Sequence, residues 1–339
     1  MTAVPLTRAS TLEAYVTFLH SIGAPVDAGL RRAGLPTLFE EISGSWIAYR
    51  RLRQFAADMF AREGITAFDF CVDESHLQKL IHSRSIRLFS REPNLLSALR
   101  LFPLIAKQQT THCSFWLESA GDRACLRFTM PLPPEVPGHE TAEIYTIRLV
   151  IALLGSYVGQ TVAPTQLFLT NPRPGVRRDC EQFFEDVPVR AGQRHGGVEF
   201  PISLLSAPGV LPVETSGNDA NQTGSDEPPK TLAGTLAESL APYLLDGYVS
   251  LDEAAQLMEC SVRTLQRRLA REKTTFRAVL HQARSKVATS ALQNNTRSIQ
   301  EISCQLGYSE QSAFTRAFRS WTGQTPAAYR NRLEAGRLH

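Results

Sequence analysis

The chain has 339 residues, of which 43% are hydrophobic and 20% are charged, and its formal net charge is +3. This length allows two or three domains, and this composition excludes a chain that is disordered throughout. The charge is uneven, because residues 232 to 339 carry 14 Lys and Arg against 9 Asp and Glu, whereas the preceding residues carry 22 against 24. We therefore expect an anionic partner to bind near the carboxyl end.

The cysteines and the amino terminus indicate a reduced, cytoplasmic protein. Six cysteines lie at irregular spacings without a C-x-x-C pair, which argues against a zinc site or a disulfide framework. The first residues lack the apolar core of a signal peptide, and the longest apolar run, residues 149 to 159, is shorter than the roughly 20 residues that a membrane span needs. We interpret that run as a buried helix, and we expect no membrane partner, no metal and no cofactor.

Residues 1 to 213 predict a mixed α+β domain that binds an effector or mediates oligomerisation. Apolar periodicity predicts helices near residues 11–22, 49–62, 95–107, 143–157 and 178–184. The clearest hairpin joins SFWLE and ACLRFTM through a turn at residues 120 to 122, and we expect a second hairpin at Gly196 and Gly197.

A polar segment separates this domain from a helical one. Residues 214 to 230 contain a single alanine and otherwise only polar, charged, glycine and proline residues, so residues 214 to 231 are predicted to be a linker. Residues 232 to 339 have an all-α pattern that repeats itself. Two S-x-x-E capping boxes, which begin at Ser250 and Ser298, each open a short apolar-periodic helix.

A second helix is predicted after each capped helix, within units at about residues 250–270 and 298–320. In the later copy, Ser309 is expected to be the N-cap and Gly323 the C-terminal stop. One face of each second helix is apolar, and the opposite face is polar and rich in arginine. A short helix, a tight turn and such a second helix outline a helix-turn-helix, whose second helix lies in the major groove of DNA. The predicted DNA-binding residues are Arg263, Thr264, Gln266, Arg267, Arg268, Gln311, Ser312, Thr315, Arg316 and Arg319.

These motifs resemble the AraC/XylS family of bacterial transcription regulators. The resemblance covers about residues 250 to 332, through SLDEAAQLMECSVRTLQRRL, a central helix in TTFRAVLHQARSKVATSAL, and SIQEISCQLGYSEQSAFTRAFRSWTGQTPAAYR. It implies that Arg263, Gln266 and Arg267 read base edges and that Arg268 tends toward phosphate. Lys273 departs from the pattern, because a glycine usually stands after the first recognition helix, and we expect a strained or altered turn there.

The first 213 residues resemble the family's arabinose-binding-like ligand domain, through PVDAGLRRAGLP, EPNLLSALRL and FFEDVPVRAGQRHGGVEF. Together the resemblances imply a dimeric, sequence-specific regulator that binds double-stranded promoter DNA, works with RNA polymerase and responds to an unknown small-molecule effector. Activation is the expected direction.

The sequence leaves two alternatives to an effector-controlled regulator. An architectural DNA-binding protein without effector control would bend DNA with little base readout. An enzyme is disfavoured because the chain lacks the nucleophile elbow G-x-S-x-G, the zinc motif H-E-x-x-H and the glycine-rich phosphate loops. His112, beside Cys113 and near Trp116, is a candidate pocket residue, although a hydrogen-bonded strand histidine is the favoured interpretation.

Overall fold

The structure, a computed structural model, describes residues 4–38, 44–67, 69, 88–185, 187–210, 228–247, 249–294 and 297–337. The chain divides into two compact units. The first unit consists of Met1–Ser10, Leu30–Ala48 and Asn218–His339, and the second consists of Thr11–Gly29 and Tyr49–Gly217. This division differs from the predicted split into residues 1–213 and 232–339, because two short amino-terminal segments pack with the carboxyl-terminal helices. Most of the predicted linker lies outside the described residues.

The helices of the amino-terminal half confirm the five that periodicity predicts. They are α1 (Ala9–Ser21), α2 (Val26–Ala33), α3 (Tyr49–Glu63), α4 (Leu95–Gln109), α5 (His139–Val158) and α6 (Pro174–Phe183), followed by a 3-10 helix at Ile202–Ser206. Helix α6 begins four residues before its predicted start, because Pro174 occupies the first helical turn, where a missing N–H costs nothing. Helix α5 begins directly after Gly138, whose φ is 75°.

The second unit contains a five-stranded sheet. Its strands are β3 (Ser114–Ala120), β4 (Arg123–Thr129), β5 (Gln166–Phe168), β6 (Val189–Arg190) and β7 (Gly196–Pro201), in the order β3-β4-β7-β5-β6. The predicted hairpin is confirmed, since β3 and β4 are antiparallel and Ala120 lies opposite Arg123. The turn between them contains Gly121 at φ 59°.

The second predicted hairpin is wrong. Strand β6 pairs in parallel with β5, and β7 pairs antiparallel with both β4 and β5. Gly196 and Gly197 lie within β7 rather than in a turn. A Cβ on Gly196 would lie 2.3 Å from the Phe128 ring of β4, so this glycine allows close packing between strands.

The core of the second unit forms between α4, α5 and the sheet. Leu99, Ile147, Leu154, Leu167 and Phe200 are among its buried residues. Helix α5 is the one helix, among the residues described, that is long and apolar enough to cross a membrane by length and composition. More than half of its apolar window is buried within the protein, as the predicted buried helix requires.

The first unit joins a two-stranded ribbon to eight helices among its described residues. Strands β1 (Leu6–Arg8) and β2 (Trp46–Ala48) are antiparallel, and β2 lies against the first of these helices. The helices are α7 (Leu232–Leu240), α8 (Tyr243–Asp246), α9 (Leu251–Leu257), α10 (Val262–Arg271), α11 (Phe276–Asn294), α12 (Ile299–Gln305), α13 (Gln311–Thr322) and α14 (Pro326–Arg337).

The predicted repeat is present in this unit. Complete capping boxes begin both short helices, Ser250 with Glu253 at α9 and Ser298 with Glu301 at α12. Helix α11 runs between the two copies and packs against α7, α13, α12 and α14. The fold class is therefore as predicted: an α+β region and an all-α module of two helix-turn-helix units joined by a central helix.

Candidate nucleic-acid interface and ligand cavity

The orientation of the second helix in each unit is set by a few apolar side chains. Leu265 and Leu269 of α10 and Phe314 and Phe318 of α13 are at most 1% exposed. Their spacing of four residues keeps each pair on one face of its helix. Full burial of such a side chain stabilises a fold by about 1.5–3 kcal/mol, so rotating either helix is unfavourable. The polar faces of α10 and α13 must therefore point outward.

Most of the predicted contact residues lie on these outward faces. Arg263, Gln266, Arg267, Gln311, Ser312, Arg316 and Arg319 are exposed, whereas Thr264, Arg268 and Thr315 are half-buried. Arg268 is the least available of the arginines, because its Nε is buried and has no hydrogen-bond partner among the described residues. The ten predicted residues thus form two groups, five on α10 and five on α13.

The exposed arginines differ from the other arginines of this unit. Within the part of the chain that the structure describes, the side chains of Arg263, Arg267, Arg316 and Arg319 take part in no hydrogen bond or ion pair, so their guanidinium groups are available to a partner. Other arginines have structural partners. Arg297 donates to Gln305 Oε1 at 2.6 Å, and Arg330 donates to the carbonyl oxygen of Arg297 at 2.6 Å. Arg284 lies 5.5 Å from the ring of Tyr308.

The hydroxyl groups of the two polar faces are engaged within their own helices. Ser261 donates to Thr264 Oγ1 at 3.0 Å, and its Oγ accepts from the Thr264 amide. Thr315 donates to the carbonyl oxygen of Gln311 at 2.9 Å, a bond that follows the helix backbone. Thr315 can therefore donate to a base only if it gives up this bond, whereas Thr264 accepts here and keeps its own O–H as a donor. Readout by the arginines requires no change of partner.

The amino terminus of α13 differs from the prediction. Its N-cap is Glu310 rather than Ser309, because Glu310 has the extended backbone, φ −139°, that precedes the helix. Ser312 donates to Glu310 Oε2 at 3.0 Å, so a carboxylate lies at this end. The amino termini of α9 and α12 also carry capping glutamates. Hydrogen bonds from Ser298 lower the pKa of Glu301, so this carboxylate is charged and would compete with phosphate for the helix end.

The second unit contains a cavity of about 130 Å³ that the sequence did not reveal. Helices α1, α3, α4 and α5 contribute apolar walls, which include Leu52, Phe102, Leu149 and Leu153. Polar residues also line it, among them Arg53 and the buried tyrosines Tyr15, Tyr49 and Tyr145. A largely apolar cavity with a few convergent polar groups is typical of small-molecule sites.

Arg53 is the one cation among the residues that line this cavity. Only 1% of it is exposed, and it donates hydrogen bonds to the carbonyl oxygens of Leu132 and Val136. Burial lowers the pKa of Arg53, and the neighbouring hydroxyls of Tyr49 and Tyr15 oppose this shift. The guanidinium stays charged, because the ordinary pKa of arginine is so high.

The sequence did contain a signal for this residue. Tyr49, Leu52, Arg53 and Ala56 lie on one face of α3, so a charged side chain belongs to the apolar stripe of the helix. An arginine inside such a stripe is rare in a core unless something pairs with it. Arg53 was not among the residues predicted to form a site.

Of the three residues suggested around His112, one lines the cavity. Cys113 does so; burial raises the pKa of its thiol to about 12, and the thiol donates to the carbonyl oxygen of Thr129 at 3.1 Å. His112 precedes β3 in a left-handed turn, φ 62°, and its Nδ1 lies 3.0 Å from Thr111 Oγ1. The ring of Trp116 packs edge-on against His195. The predicted strand histidine is therefore a turn histidine.

The cysteines were expected to be reduced and buried; of those that the structure describes, 113, 125 and 180 are buried, 260 is half-buried and 304 is exposed. The cysteines at 113, 125, 180, 260 and 304 are free, and Cys71 lies outside the described residues. The described residues also contain no group of three or more His, Cys, Asp or Glu that could hold a metal ion.

Comparisons with known proteins match both parts of the chain. A family model described as a helix-turn-helix domain matches residues 254–332, and a model described as the arabinose-binding N-terminal domain of AraC transcription regulators matches residues 85–208.

Three curated relatives illustrate the extent of similarity. An uncharacterized HTH-type transcriptional regulator of Mycobacterium tuberculosis is 42% identical over 85 residues, 25% of each chain. The HTH-type transcriptional regulator VqsM of Pseudomonas aeruginosa is 32% identical, covering 40% of this chain and 54% of VqsM. The transcriptional activator NphR of Rhodococcus sp. is 36% identical over 87 residues, 26% of each chain. The chain thus matches between 25% and 54% of the length of these relatives.

Proposed function

We propose that the chain is a transcription regulator of the AraC family, which binds specific promoter sequences in double-stranded DNA and regulates transcription in response to a small molecule. Matches to a helix-turn-helix model and to the arabinose-binding domain model of AraC regulators support this proposal. One observation carries the proposal. Two equivalent helices, α10 and α13, are fixed by buried apolar faces and carry four exposed arginines without partners among the described residues.

The chemistry of these side chains suits base readout. Arginine can donate two hydrogen bonds to guanine O6 and N7, and the Gln266 and Gln311 amides can pair in the same way with adenine. We assign base reading to Arg263, Gln266 and Arg267 of α10 and to Gln311, Ser312, Thr315 and Arg316 of α13. Arg268 and Arg319 are assigned to phosphate contacts, which position the module without reading sequence.

The test replaces one arginine in each helix, Arg267→Ala together with Arg316→Ala. We expect the double variant to bind a preferred duplex about 30-fold or more weakly, because each good arginine–guanine pair contributes about 1–3 kcal/mol. The duplex is selected from a random pool by the wild-type protein, and affinity is measured by fluorescence anisotropy at near-physiological salt. Unchanged affinity would refute the proposal.

A control of equal charge separates readout from general electrostatics. Arg31→Ala with Arg332→Ala also removes two exposed arginines, but neither lies on α10 or α13. We expect this control to retain most of the affinity for the preferred duplex. Equal losses in both double variants would indicate that the arginines act as a diffuse positive charge, as in the architectural function considered above. A ratio near one between the affinities for the preferred and the random duplex would also favour the architectural function.

The remaining features of the proposal concern the whole protein. We propose that the chain acts in the cytoplasm as a homodimer and as an activator that works with RNA polymerase. Activation is in keeping with the name of the similar NphR. A regulator of this kind needs no catalytic site, and we propose none. The predicted boundaries, an effector domain at residues 1–213 and a DNA-binding domain at residues 232–339, are part of the same proposal.

A further inference from the structure

The cavity of the second unit has one charged wall in an otherwise apolar interior. Its size is comparable to the cavity of about 150 Å³ that holds a benzene molecule in a well-studied protein core. It can therefore accept an organic molecule with a body of about six carbon atoms. Arg53 of α3 lines this space together with Phe102 of α4 and Leu153 of α5.

The hydrogen bonds of Arg53 join its guanidinium to no anion. Its Nη1 lies 3.5 Å from the carbonyl oxygen of Leu132, and its Nη2 donates to the carbonyl oxygen of Val136. Its Nε is buried and has no hydrogen-bond partner in the described part of the chain. Both acceptors are neutral, so neither balances the charge of the guanidinium.

The cavity supplies no carboxylate of its own. Among its lining residues there is no Asp or Glu. The buried acid Glu143 belongs to another cluster: its Oε1 accepts from the amide and hydroxyl of Thr170, both at 2.7 Å, and its Oε2 accepts from the Asn171 amide at 3.3 Å. The charge of Glu143 acts on Arg53 through space and raises its pKa, but no hydrogen bond joins the two side chains among the described residues. A buried cation that contacts no carboxylate is unfavourable, because the loss of its hydration is not offset by a paired anion.

We propose that this cavity binds a small monocarboxylate with an aliphatic or aromatic body, and that the carboxylate pairs with the Arg53 guanidinium. The apolar body packs among Leu52, Phe102 and Leu153. The assignment of this carboxylate as the effector rests on the proposed function, regulation by a small molecule. Charge-assisted pairs of this kind are about twice as strong as neutral hydrogen bonds, and arginine presents two donors in parallel to a carboxylate.

The buried tyrosines add hydrogen-bond donors to the same site. Tyr49 and Tyr145 line the cavity and are at most 9% exposed. Burial raises the pKa of both hydroxyls, so each stays protonated at physiological pH. A protonated tyrosine can donate to a carboxylate oxygen. An anion is therefore accommodated here without a competing negative charge.

A purely structural role for Arg53 makes a different prediction. In that case the guanidinium only holds the loop of Leu132 and Val136, and a ligand would be selected by its shape alone. A carboxylate and its neutral amide have nearly the same shape but different charge. Comparing them on the wild-type protein therefore separates the two roles without any substitution.

The experiment measures binding to purified full-length protein by isothermal titration calorimetry without DNA. The probes are hexanoate and benzoate, with hexanamide and benzamide as neutral partners. We expect at least one carboxylate to bind at least about tenfold more tightly than its amide, since a bond to a charged group is stronger than a neutral one. Equal affinities within each pair, or no binding by any probe, would overturn the proposal.

Two variants locate the binding site. Arg53→Met keeps the apolar stem and removes the charge, and we expect it to lose the preference for carboxylate. Arg62→Met, on the exposed face of the same helix, is the matched control and should bind as wild type does. If Arg53→Met does not fold, Ala106→Phe tests the site instead, because its ring fills the cavity and leaves Arg53 in place. We expect this variant to lose affinity for the carboxylate probes. Wild-type affinity for carboxylate in Ala106→Phe would contradict the site.

The two proposals can fail separately. Calorimetry reports on the cavity without DNA, and anisotropy reports on DNA without a ligand. Loss of the carboxylate preference with intact operator binding would refute the effector class alone. Absence of any preferred duplex would refute the proposed function and would leave the ligand measurement interpretable.

Discussion

At the scale of single residues, the two helix-turn-helix copies require the same backbone conformations with different residues. The turn before the recognition helix contains Glu259 at φ 48° in the first copy and Gly307 at φ 79° in the second. Lys273, the second residue beyond α10, has φ 56°, and Gly323, directly after α13, has φ 79°. The fold therefore imposes a left-handed residue at both places, and the first copy adopts it without glycine. The strained turn that was expected at Lys273 corresponds to this left-handed backbone conformation.

We predict that Lys273→Gly stabilises the first unit. The free energy of unfolding should rise by about 1 kcal/mol, because a left-handed L-residue costs roughly 1–2 kcal/mol and the extra freedom of glycine in the unfolded chain offsets about half of this. Urea unfolding of the full-length protein, followed by far-ultraviolet circular dichroism, measures the change.

The reciprocal variant is the control. The free energy of unfolding of Gly323→Lys should fall by a similar amount. A Cβ at that position would meet no atom within 4 Å, so this decrease reports the backbone conformation alone. An unchanged or lower stability of Lys273→Gly would show that the left-handed turn carries no measurable strain.

At the scale of elements, α10 and α13 are equivalent in position and unequal in chemistry. On α10, Arg263, Gln266 and Arg267 are exposed along one polar face. On α13, the Ser312 hydroxyl donates to a neighbouring side chain and the Thr315 hydroxyl to the helix backbone, so readout there rests mainly on Gln311 and Arg316. We therefore expect the half-site read by α10 to be the more stringent of the two.

A footprint tests the joint docking of these helices. Two recognition helices on one module are expected to enter consecutive major grooves, about 34 Å or 10 base pairs apart. Hydroxyl-radical footprinting should then show two protected elements with that spacing on one face of the duplex. Substitution of bases in the α10 half-site should weaken binding more than substitution in the other. Protection without helical phasing would contradict docking by both units.

At the scale of the whole molecule, amino-terminal residues are part of the unit that contains the two helix-turn-helix copies. Asp246 of α8 accepts from the Thr37 amide at 2.7 Å and from its hydroxyl at 2.9 Å. Tyr243 of the same helix donates to the carbonyl oxygen of Gly34 at 2.8 Å. The chain then continues through β2 to Tyr49, which lines the cavity of the other unit. A continuous stretch of backbone therefore links the proposed effector site to α8.

We predict that Asp246→Ala weakens this link without removing either binding activity. The Thr37 amide should exchange with deuterium about fivefold faster, the factor that corresponds to a hydrogen bond contributing about 1 kcal/mol. Operator affinity should also respond less to the cavity ligand, because coupling between sites requires an element whose state both sites affect. Hydrogen exchange and anisotropy with and without ligand measure these effects.

The matched control removes the same charge nearby. Asp252→Ala, on the exposed first turn of α9, should leave the Thr37 amide and the ligand response unchanged. A wild-type ligand response in Asp246→Ala would show that the contact at residues 34–37 does not transmit the signal.

Local patterns predicted the parts of the fold that local interactions stabilise. The capping boxes at Ser250 and Ser298, the β3–β4 hairpin and the buried face of α13 all depend on residues a few positions apart. The second hairpin prediction failed because a glycine pair can serve either a turn or close strand packing, and only the position of Phe128 distinguishes them. The N-cap at Ser309 failed by one residue, because Ser309 and Glu310 are both compatible with the start of α13.

The amino-acid sequence alone determined the double helix-turn-helix module and its ten candidate contact residues, because helix periodicity and capping are encoded within a few turns of chain. Only the tertiary structure decided where the cavity lies, that Arg53 lines it without contacting an anion, and that residues 30–38 and 44–48 belong to the same unit as the carboxyl-terminal helices. These features depend on side chains brought together from distant segments, whose proximity follows from burial of the shared cores rather than from any local pattern.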